Sequence, residues 1–515
     1  MARMSVAEDR TGERAALPPQ LDDSVRRGIR ALLDRQQEDG HWVYILEADA
    51  TIPAEYILYK HFLDEVDEEK EQRLAHYIRE TQADHGGWPL WKDGPLDISA
   101  TVKAYWALKA AGDPIDAPHM ARARQAILDR GGAARTNVFT RVLLALWEQV
   151  PWKAAPMMPV EIMTLPRWFP FHLEKVSYWS RTVIVPLIVL QAVKPKPKRK
   201  VDVPELFVEP PETVRDWHPH IDNTGWARFF RGLDCVLRWA EPVMPGPTRR
   251  RSIKLAEEWV TERLNGEDGL GAIFPSMVNA VLMYECLGYP KNDPNLLIAK
   301  ESIEKLVAAD DKFLYAQPCV SPVWDTGLAC HALLESGEPE AIEKAQDGLK
   351  WLRGRQILDV KGDWIARRPD VRPGGWAFQY NNAHYPDLDD TAVVAMALDR
   401  SKDPAHEPAI ARATEWVEGM QSKNGGWAAF EVDNEHYYLN HIPFADHGAL
   451  LDPPTVDVTA RCVSMLAQLG RTKDDPSVAR AIDYLRREQE ADGSWFGRWG
   501  TNYIYGTWSA LCALN

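Results

Sequence analysis

Apolar residues recur along this chain at helical spacing, in runs that stop at glycine. Val25, Ile29, Leu32 and Leu33 share one helix face, as do Ala413, Trp416, Val417 and Met420, so each run predicts an amphipathic helix. Behind such runs stands a repeated Gln-x3-Gly-x-Trp segment, whose glycine suits a helix stop: Gln36, Gly40 and Trp42; Gln82, Gly86 and Trp88; Gln421, Gly425 and Trp427; Gln489, Gly493 and Trp495. A fifth copy has a longer gap, Gln356, Gly362 and Trp364, and an eroded copy around Asn265, Gly269 and Gly271 has lost its tryptophan. Downstream, a second helix opens with aspartate and a small or hydroxyl residue, as in Asp97-Ile-Ser-Ala, Asp389-Asp-Thr-Ala and Asp457-Val-Thr-Ala. Paired-helix units of this kind cannot bury their apolar faces alone, so they stack into a solenoid or a closed ring. No strand alternation opposes an all-α fold. The repeat tryptophans Trp42, Trp88, Trp364, Trp427 and Trp495 read as fasteners, each indole stacking over a helix end that the glutamine amide bonds.

Two stretches raise the question of a membrane. The longest apolar run, residues 183–193, falls short of the ~20 residues a spanning helix needs and predicts a core helix. A Pro/Lys linker, residues 194–200, follows it. Trp226, Phe229, Phe230, Leu233 and Leu237 share one face, while Arg228, Arg231 and Arg238 lie mainly elsewhere. That pattern fits a helix lying in a membrane surface. It equally fits a helix packed on its neighbours with solvated arginines.

Length and charge narrow the class. A chain of 515 residues exceeds one ordinary core at ~150 residues per domain, and two large helical domains fit best. A net charge of −15 argues against a nucleic-acid partner. The six cysteines show no Cys-x-x-Cys pair or zinc-like spacing and read as buried small hydrophobes in a reducing compartment. Residues 1–20 are polar and charged, with no secretory pattern, and are expected to be a mobile tail.

The candidate chemistry is the run Pro386-Asp387-Leu388-Asp389-Asp390-Thr391-Ala392. Like charges held close cannot all ionise cheaply, which raises an apparent pKa of the group above the ~3.9 of a lone aspartate. Such a cluster can hold a proton at rest and deliver it to a feeble base such as an alkene. Capping is the plain alternative, because Asp97 and Asp457 occupy the matching repeat position, yet a cap does not require three aspartates within four residues. Magnesium held for a diphosphate is a further alternative, without a phosphate-binding glycine loop beside it. Asp457 and Arg461 lie one helical turn apart and read either as support for the acid or as a surface ion pair. An arginine stabilises a conjugate base but stays protonated and cannot relay a proton.

With the Asp-x-Asp-Asp-Thr-Ala motif and the Gln/Trp repeats together, the chain resembles the squalene-hopene cyclases over nearly its whole length. Ser177-Tyr-Trp-Ser-Arg181, Ser321-Pro-Val-Trp-Asp325, Gly374-Gly-Trp-Ala-Phe378, Asn440-His-Ile-Pro-Phe444 and Gly493-Ser-Trp-Phe-Gly-Arg-Trp-Gly500 support the likeness. The resemblance implies two α/α barrel (toroid) domains, expected at residues 25–315 and 316–515 after a tail over 1–24. It implies acid-initiated cyclisation of squalene to hopene or hopanol, with Asp389 as proton donor, Asp387 and Asp390 as partners, and Asp457 and Arg461 in support. A dry cavity lined by aromatic faces would carry the cation, and Trp179, Trp324, Phe378, Phe430, Trp499 and Tyr505 match family cavity positions. The composition, with 21 Trp, 16 Tyr and 13 Phe, suits this. No cofactor and no metal are implied; the partners are squalene and a membrane surface, the location the cytoplasmic side of the inner membrane, the assembly a homodimer. Relatives continue past the position of Asn515, so the second barrel is expected to be incomplete at its C-terminal end, through truncation, a half supplied by another chain, or loss of turnover. A class II diterpene cyclase and a non-catalytic toroid that binds lipid or protein remain the alternatives.

Overall fold

The computed structural model describes residues 19–215, 217, 224–310, 312–445 and 448–515. Among them eighteen α-helices carry the fold, and the all-α expectation holds. One hairpin departs from it: Val307–Ala309 pairs antiparallel with Leu314–Ala316. Strands of three residues are too short to show the alternation that would betray them in sequence.

The Gln/Trp repeats work through hydrogen bonds. Gln82 Nε2 donates to Gly86 O (2.7 Å) and His119 O (2.9 Å), and Gln421 Nε2 donates to Gly425 O (2.8 Å) and Ser477 O (2.8 Å). Each amide thereby ties its own turn to a following helix. The indoles donate to the last turn of the helix ten residues back: Trp42 to Leu32 O, Trp88 to Ile78 O, Trp427 to Val417 O and Trp495 to Leu485 O, at 2.7–2.8 Å. Carbonyls at a helix C-terminus lack intrahelical partners, so a donor there removes a cost. The indole role is donation, where stacking was expected. Gly425 shows why glycine is needed: its φ is +94°, and a Cβ would stand 2.4 Å from Arg480 O.

The fifth repeat differs from its expected form. Gln356 Nε2 donates to Gly374 O (2.8 Å) and Ala409 O (2.9 Å), and the indole that closes on Leu352 O (2.6 Å) is Trp376. Residues 357–373 stand between glutamine and glycine where the other copies have three residues, and Trp364, buried within this longer stretch, is not the fastener.

Two compact units divide the chain. The first holds the chain up to Tyr44, Val320–Glu435 and Asp452–Asn515; the second holds Ile45–Cys319 and His436–Leu451. Division at 315/316 was expected. The N-terminal repeat belongs to the first unit because Gln36 Nε2 donates to Lys344 O (3.0 Å), Trp42 N to Thr326 Oγ1 (2.9 Å) and Tyr44 N to Asp325 Oδ2 (2.8 Å). Residues 436–451 join the second through Ser177 N to Leu450 O (2.8 Å) and Trp179 Nε1 to Ala449 O (2.5 Å). The tail expected over 1–24 is helical from Pro19, in Pro19–Leu33; residues 1–18 lie outside the described residues.

The apolar run at 183–193 lies in the buried helix Tyr178–Val193, and among the described residues no helix is long and apolar enough to cross a membrane. Of the cysteines only Cys330 and Cys462 are buried, while Cys235 is exposed.

Candidate active site

Asp387 opens the helix Leu388–Arg400: its Oδ1 accepts from Asp389 N (2.7 Å) and Asp390 N (3.1 Å). The turn is pinned from both sides. Asp387 N donates to Trp376 O (2.7 Å), Leu388 N donates to Ala429 O (2.8 Å), and Thr391 Oγ1 donates to Asp387 O (2.6 Å) while accepting from Trp376 N (2.9 Å). The same device starts the helix Ile98–Ala110, where Asp97 caps Ala100 N (2.8 Å), Thr101 Oγ1 donates to Asp97 O (2.6 Å) and Trp88 N donates to Thr101 Oγ1 (3.0 Å). The threonines set the register. Asp97 therefore matches Asp387, not Asp389 as the sequence suggested, and Asp389 stands where the other helix has Ser99. At the third copy, Thr455 N donates to Trp427 O (3.1 Å) and Trp427 N to Thr459 Oγ1 (2.9 Å), which puts Asp457 in the position of Asp389. Capping accounts for Asp387 and leaves Asp389 without a capping bond.

Three buried carboxyls so close to one another separate in acidity. Burial pushes Asp387 well above the usual carboxylate range, with the Asp389 and Asp452 charges adding to it. Burial does the same to Asp390, helped by Asp387 and Asp389. Asp389 is raised less, to about 6, because burial and the Asp457 charge are opposed by Arg461. The member beside a cation is thus the strongest acid of the three.

Arg461 projects from the helix Val456–Gln468 and is buried. Its Nε donates to Asp389 Oδ1 (3.1 Å) and its Nη2 to Tyr505 Oη (2.8 Å). The guanidinium lies 5.0 Å from the ring of Trp508 and 5.9 Å from those of Trp324 and Tyr505. Trp508 was not foreseen; it sits three residues after Tyr505 on Asn502–Leu514, a spacing that puts both on one face. The surface ion pair between Asp457 and Arg461 is ruled out. Both side chains are buried, and Asp457 accepts instead from Trp499 N (2.7 Å) and Val458 N (3.1 Å).

Phe430 and Trp499 meet edge to face, centroids 6.4 Å apart. Phe430 is buried, Trp499 is 44% exposed, and Phe378 is half-buried. Trp179 belongs to the second unit, where it lines a cavity of about 320 Å³ with Tyr59, Phe139 and Trp147. Sequence reasoning missed Asp452, which is fully buried and accepts from Ala429 N (3.3 Å), Phe430 N (2.8 Å) and Glu431 N (3.0 Å). It orders the bend whose Ala429 carbonyl holds Leu388 N. Burial and Glu431 raise its carboxyl to about 7. Among the described residues, no three His, Cys, Asp or Glu side chains are grouped so as to hold a metal ion.

The chain matches two family models end to end, the squalene-hopene cyclase N-terminal domain over residues 25–312 and the C-terminal domain over 320–515. It is 56% identical to the squalene-hopene cyclase of Zymomonas mobilis subsp. mobilis, across 99% of this chain and 80% of that one. A probable squalene-hopene cyclase of Sinorhizobium fredii is 56% identical over 98% of this chain and 80% of its own. The squalene-hopene cyclase of Alicyclobacillus acidocaldarius is 38% identical over 96% and 79%. On this evidence the chain belongs to the squalene-hopene cyclase family.

Proposed function

We propose that this chain cyclises squalene to hopene or its hydrated alcohol, with Asp389 as the acid that protonates the terminal double bond. Family membership supplies the hydrocarbon substrate. The observation that carries the assignment is the single contact between Asp389 Oδ1 and Arg461 Nε at 3.1 Å, inside a cluster whose other two carboxyls hold their protons more tightly. Oδ1 is taken by the arginine, and Oδ2, which has no protein partner among the described residues, carries the proton.

The alkene π pair takes that proton to form a C–H bond, leaving a carboxylate on Asp389 and a tertiary carbocation on the substrate. Arg461 stabilises the carboxylate, which makes the acid stronger as the proton leaves. Successive π pairs close the rings. The last cation either loses a proton, giving the alkene, or adds water and then sheds a proton from the oxonium, giving the alcohol. Phe430, Trp499, Phe378, Trp324 and Tyr505 supply aromatic faces, each worth ~0.5–2 kcal/mol toward a cation without bonding to it. Arg461 cannot pass a proton on, so water restores Asp389 between turnovers.

Hydrocarbon arrives from a membrane. In the second unit, Trp226, Phe229, Val236 and Trp239 of the helix Gly225–Ala240 are exposed, Trp239 by 80%. Phe230, Leu233 and Leu237 of the same helix line an apolar cavity of about 330 Å³ with Met158, Ile162 and Leu439. Arg228 is exposed, whereas Arg238 is only partly so and is tied down, donating to Asp234 Oδ2 (2.6 Å) and to Trp152 O (3.2 Å). An exposed aromatic face over an apolar hollow suits a helix lying in one leaflet, on the cytoplasmic side of the inner membrane. A homodimer belongs to the same reading and is checked by sedimentation in detergent.

The test is Asp389→Asn, assayed with squalene and with geranylgeranyl diphosphate, folding being checked by thermal denaturation. Loss of hopene with Tm retained supports the reading. Undiminished hopene formation, or turnover of the diphosphate alone in the parent chain, would overturn it.

A further inference from the structure

Behind Arg461 lies a cavity of about 20 Å³, bordered by His331, Val393, Arg461, Ser464, Trp508 and Ser509 among others. That volume suits one water molecule, which needs roughly 10–15 Å³ by this measure. Its walls carry polar atoms without protein partners. His331 Nδ1 and Ser509 Oγ are buried and make no hydrogen bond, in side chains 6% and 4% exposed. Arg461 uses Nε on Asp389 and Nη2 on Tyr505, and its Nη1 has no partner among the described residues.

The tautomer of His331 follows from its other nitrogen. Nε2 lies 2.9 Å from Val393 O, a pure acceptor, so Nε2 carries the hydrogen and Nδ1 presents a lone pair. Burial, with Arg400 and Arg461 the charged groups facing it, pushes the imidazole down to about 4, so it is neutral at working pH. Three side chains that border one water-sized space thus carry an unpaired acceptor (His331 Nδ1), a donor (Arg461 Nη1) and a hydroxyl (Ser509). Leaving the buried His331 Nδ1 and Ser509 Oγ unpaired costs about 1–3 kcal/mol each.

We propose that this cavity holds one ordered water, which accepts from Arg461 Nη1 and donates to His331 Nδ1 and Ser509 Oγ, making His331 a positioning residue that acts on the acid through Arg461. With all three nitrogens engaged, the guanidinium plane is fixed, and Nε stays aimed at Asp389 Oδ1. No proton passes through the site. The inference rests on the reading of Asp389 as the acid.

A crystal structure of the full chain at a resolution that reveals waters provides the first test: density within hydrogen-bonding distance of both His331 Nδ1 and Arg461 Nη1 is expected, and its absence overturns the proposal. Kinetics with squalene provide the second. His331→Leu is expected to lower kcat about tenfold with KM little changed, since only the aim of the acid suffers. His331→Asn places an amide oxygen near the Nδ1 position and is expected to recover most of that loss. His331→Gln keeps a donor for Val393 O but moves the acceptor, and is not expected to recover it. The opposite order, Gln rescuing and Asn failing, assigns His331 to the Val393 carbonyl and overturns the proposal, as does wild-type kcat in His331→Leu. Asp389→Asn, run alongside, separates the failures: if it still cyclises squalene, the acid assignment is wrong whatever the density shows.

Discussion

The helices Ile98–Ala110 and Leu388–Arg400 begin in the same way and do different work. Both place aspartate at the cap, threonine four residues on, and a repeat tryptophan whose backbone N–H meets the threonine. Between cap and threonine, one has Ser99 and Ala100; the other has Asp389 and Asp390. Ser99 Oγ accepts from Asn137 N (2.9 Å), an ordinary structural bond, whereas Asp389 meets a buried arginine (3.1 Å). The helix start is a scaffold with two open positions. In one copy those positions hold the proposed acid and a neighbouring carboxyl, and the device that builds the turn is unaltered.

Breaking the comparison at its open positions gives the largest expected effect. Asp389→Asn lowers kcat on squalene by about 10²–10⁴-fold, the usual worth of a general acid. Ser99→Ala leaves kcat unchanged and lowers stability by about 0.5–1.5 kcal/mol, because a half-buried N–H loses its acceptor. Chemical denaturation with product analysis by gas chromatography checks both.

Removing the cation comes next. Arg461 holds Asp389 down against burial, so Arg461→Gln raises the Asp389 pKa above about 6 and weakens the acid. The rate falls about 10–100-fold, less than for loss of the acid itself, and the midpoint of the pH–rate profile moves up. A downward shift would contradict the electrostatic account.

The scaffold positions give the smallest effects on rate in the copy without chemistry. Thr101→Val removes the hydroxyl that meets both Trp88 N and Asp97 O and costs about 1–3 kcal/mol, with kcat retained. Thr391→Val is expected to cost a similar amount and to lower kcat as well, since the turn it pins carries the proposed acid. Equal kcat in the two variants would show that the pinned turn does not matter to the chemistry.

Much of this was legible because helical stripes and the glutamine, glycine and tryptophan of each repeat are local in sequence. Trp88 and Ile78 are ten residues apart, and Gln82 and Gly86 four. The fifth repeat escaped because a longer stretch separates Gln356 from Trp376, and Trp364 offered a nearer indole. The sequence motif aligns Asp97 with Asp389 because both precede a small or hydroxyl residue and an alanine, while the register lies in the side-chain bonds of Thr101 and Thr391. Asp452 and His331 were invisible for a different reason. Their partners, Phe430 and Val393, are 22 and 62 residues away, and no periodicity marks a single buried polar group.

The most direct test follows the Asp389 proton and the reaction together. Infrared or ¹³C titration of the carboxyl, taken as the difference between the parent chain and Asp389→Asn, is set beside the pH dependence of kcat. The raised acid must be protonated to act, so activity should be full at low pH and decline as pH rises through about 6, with the carboxyl signal changing over the same interval. A carboxyl already ionised at pH values where cyclisation runs at its full rate would contradict the claim that Asp389 donates the proton.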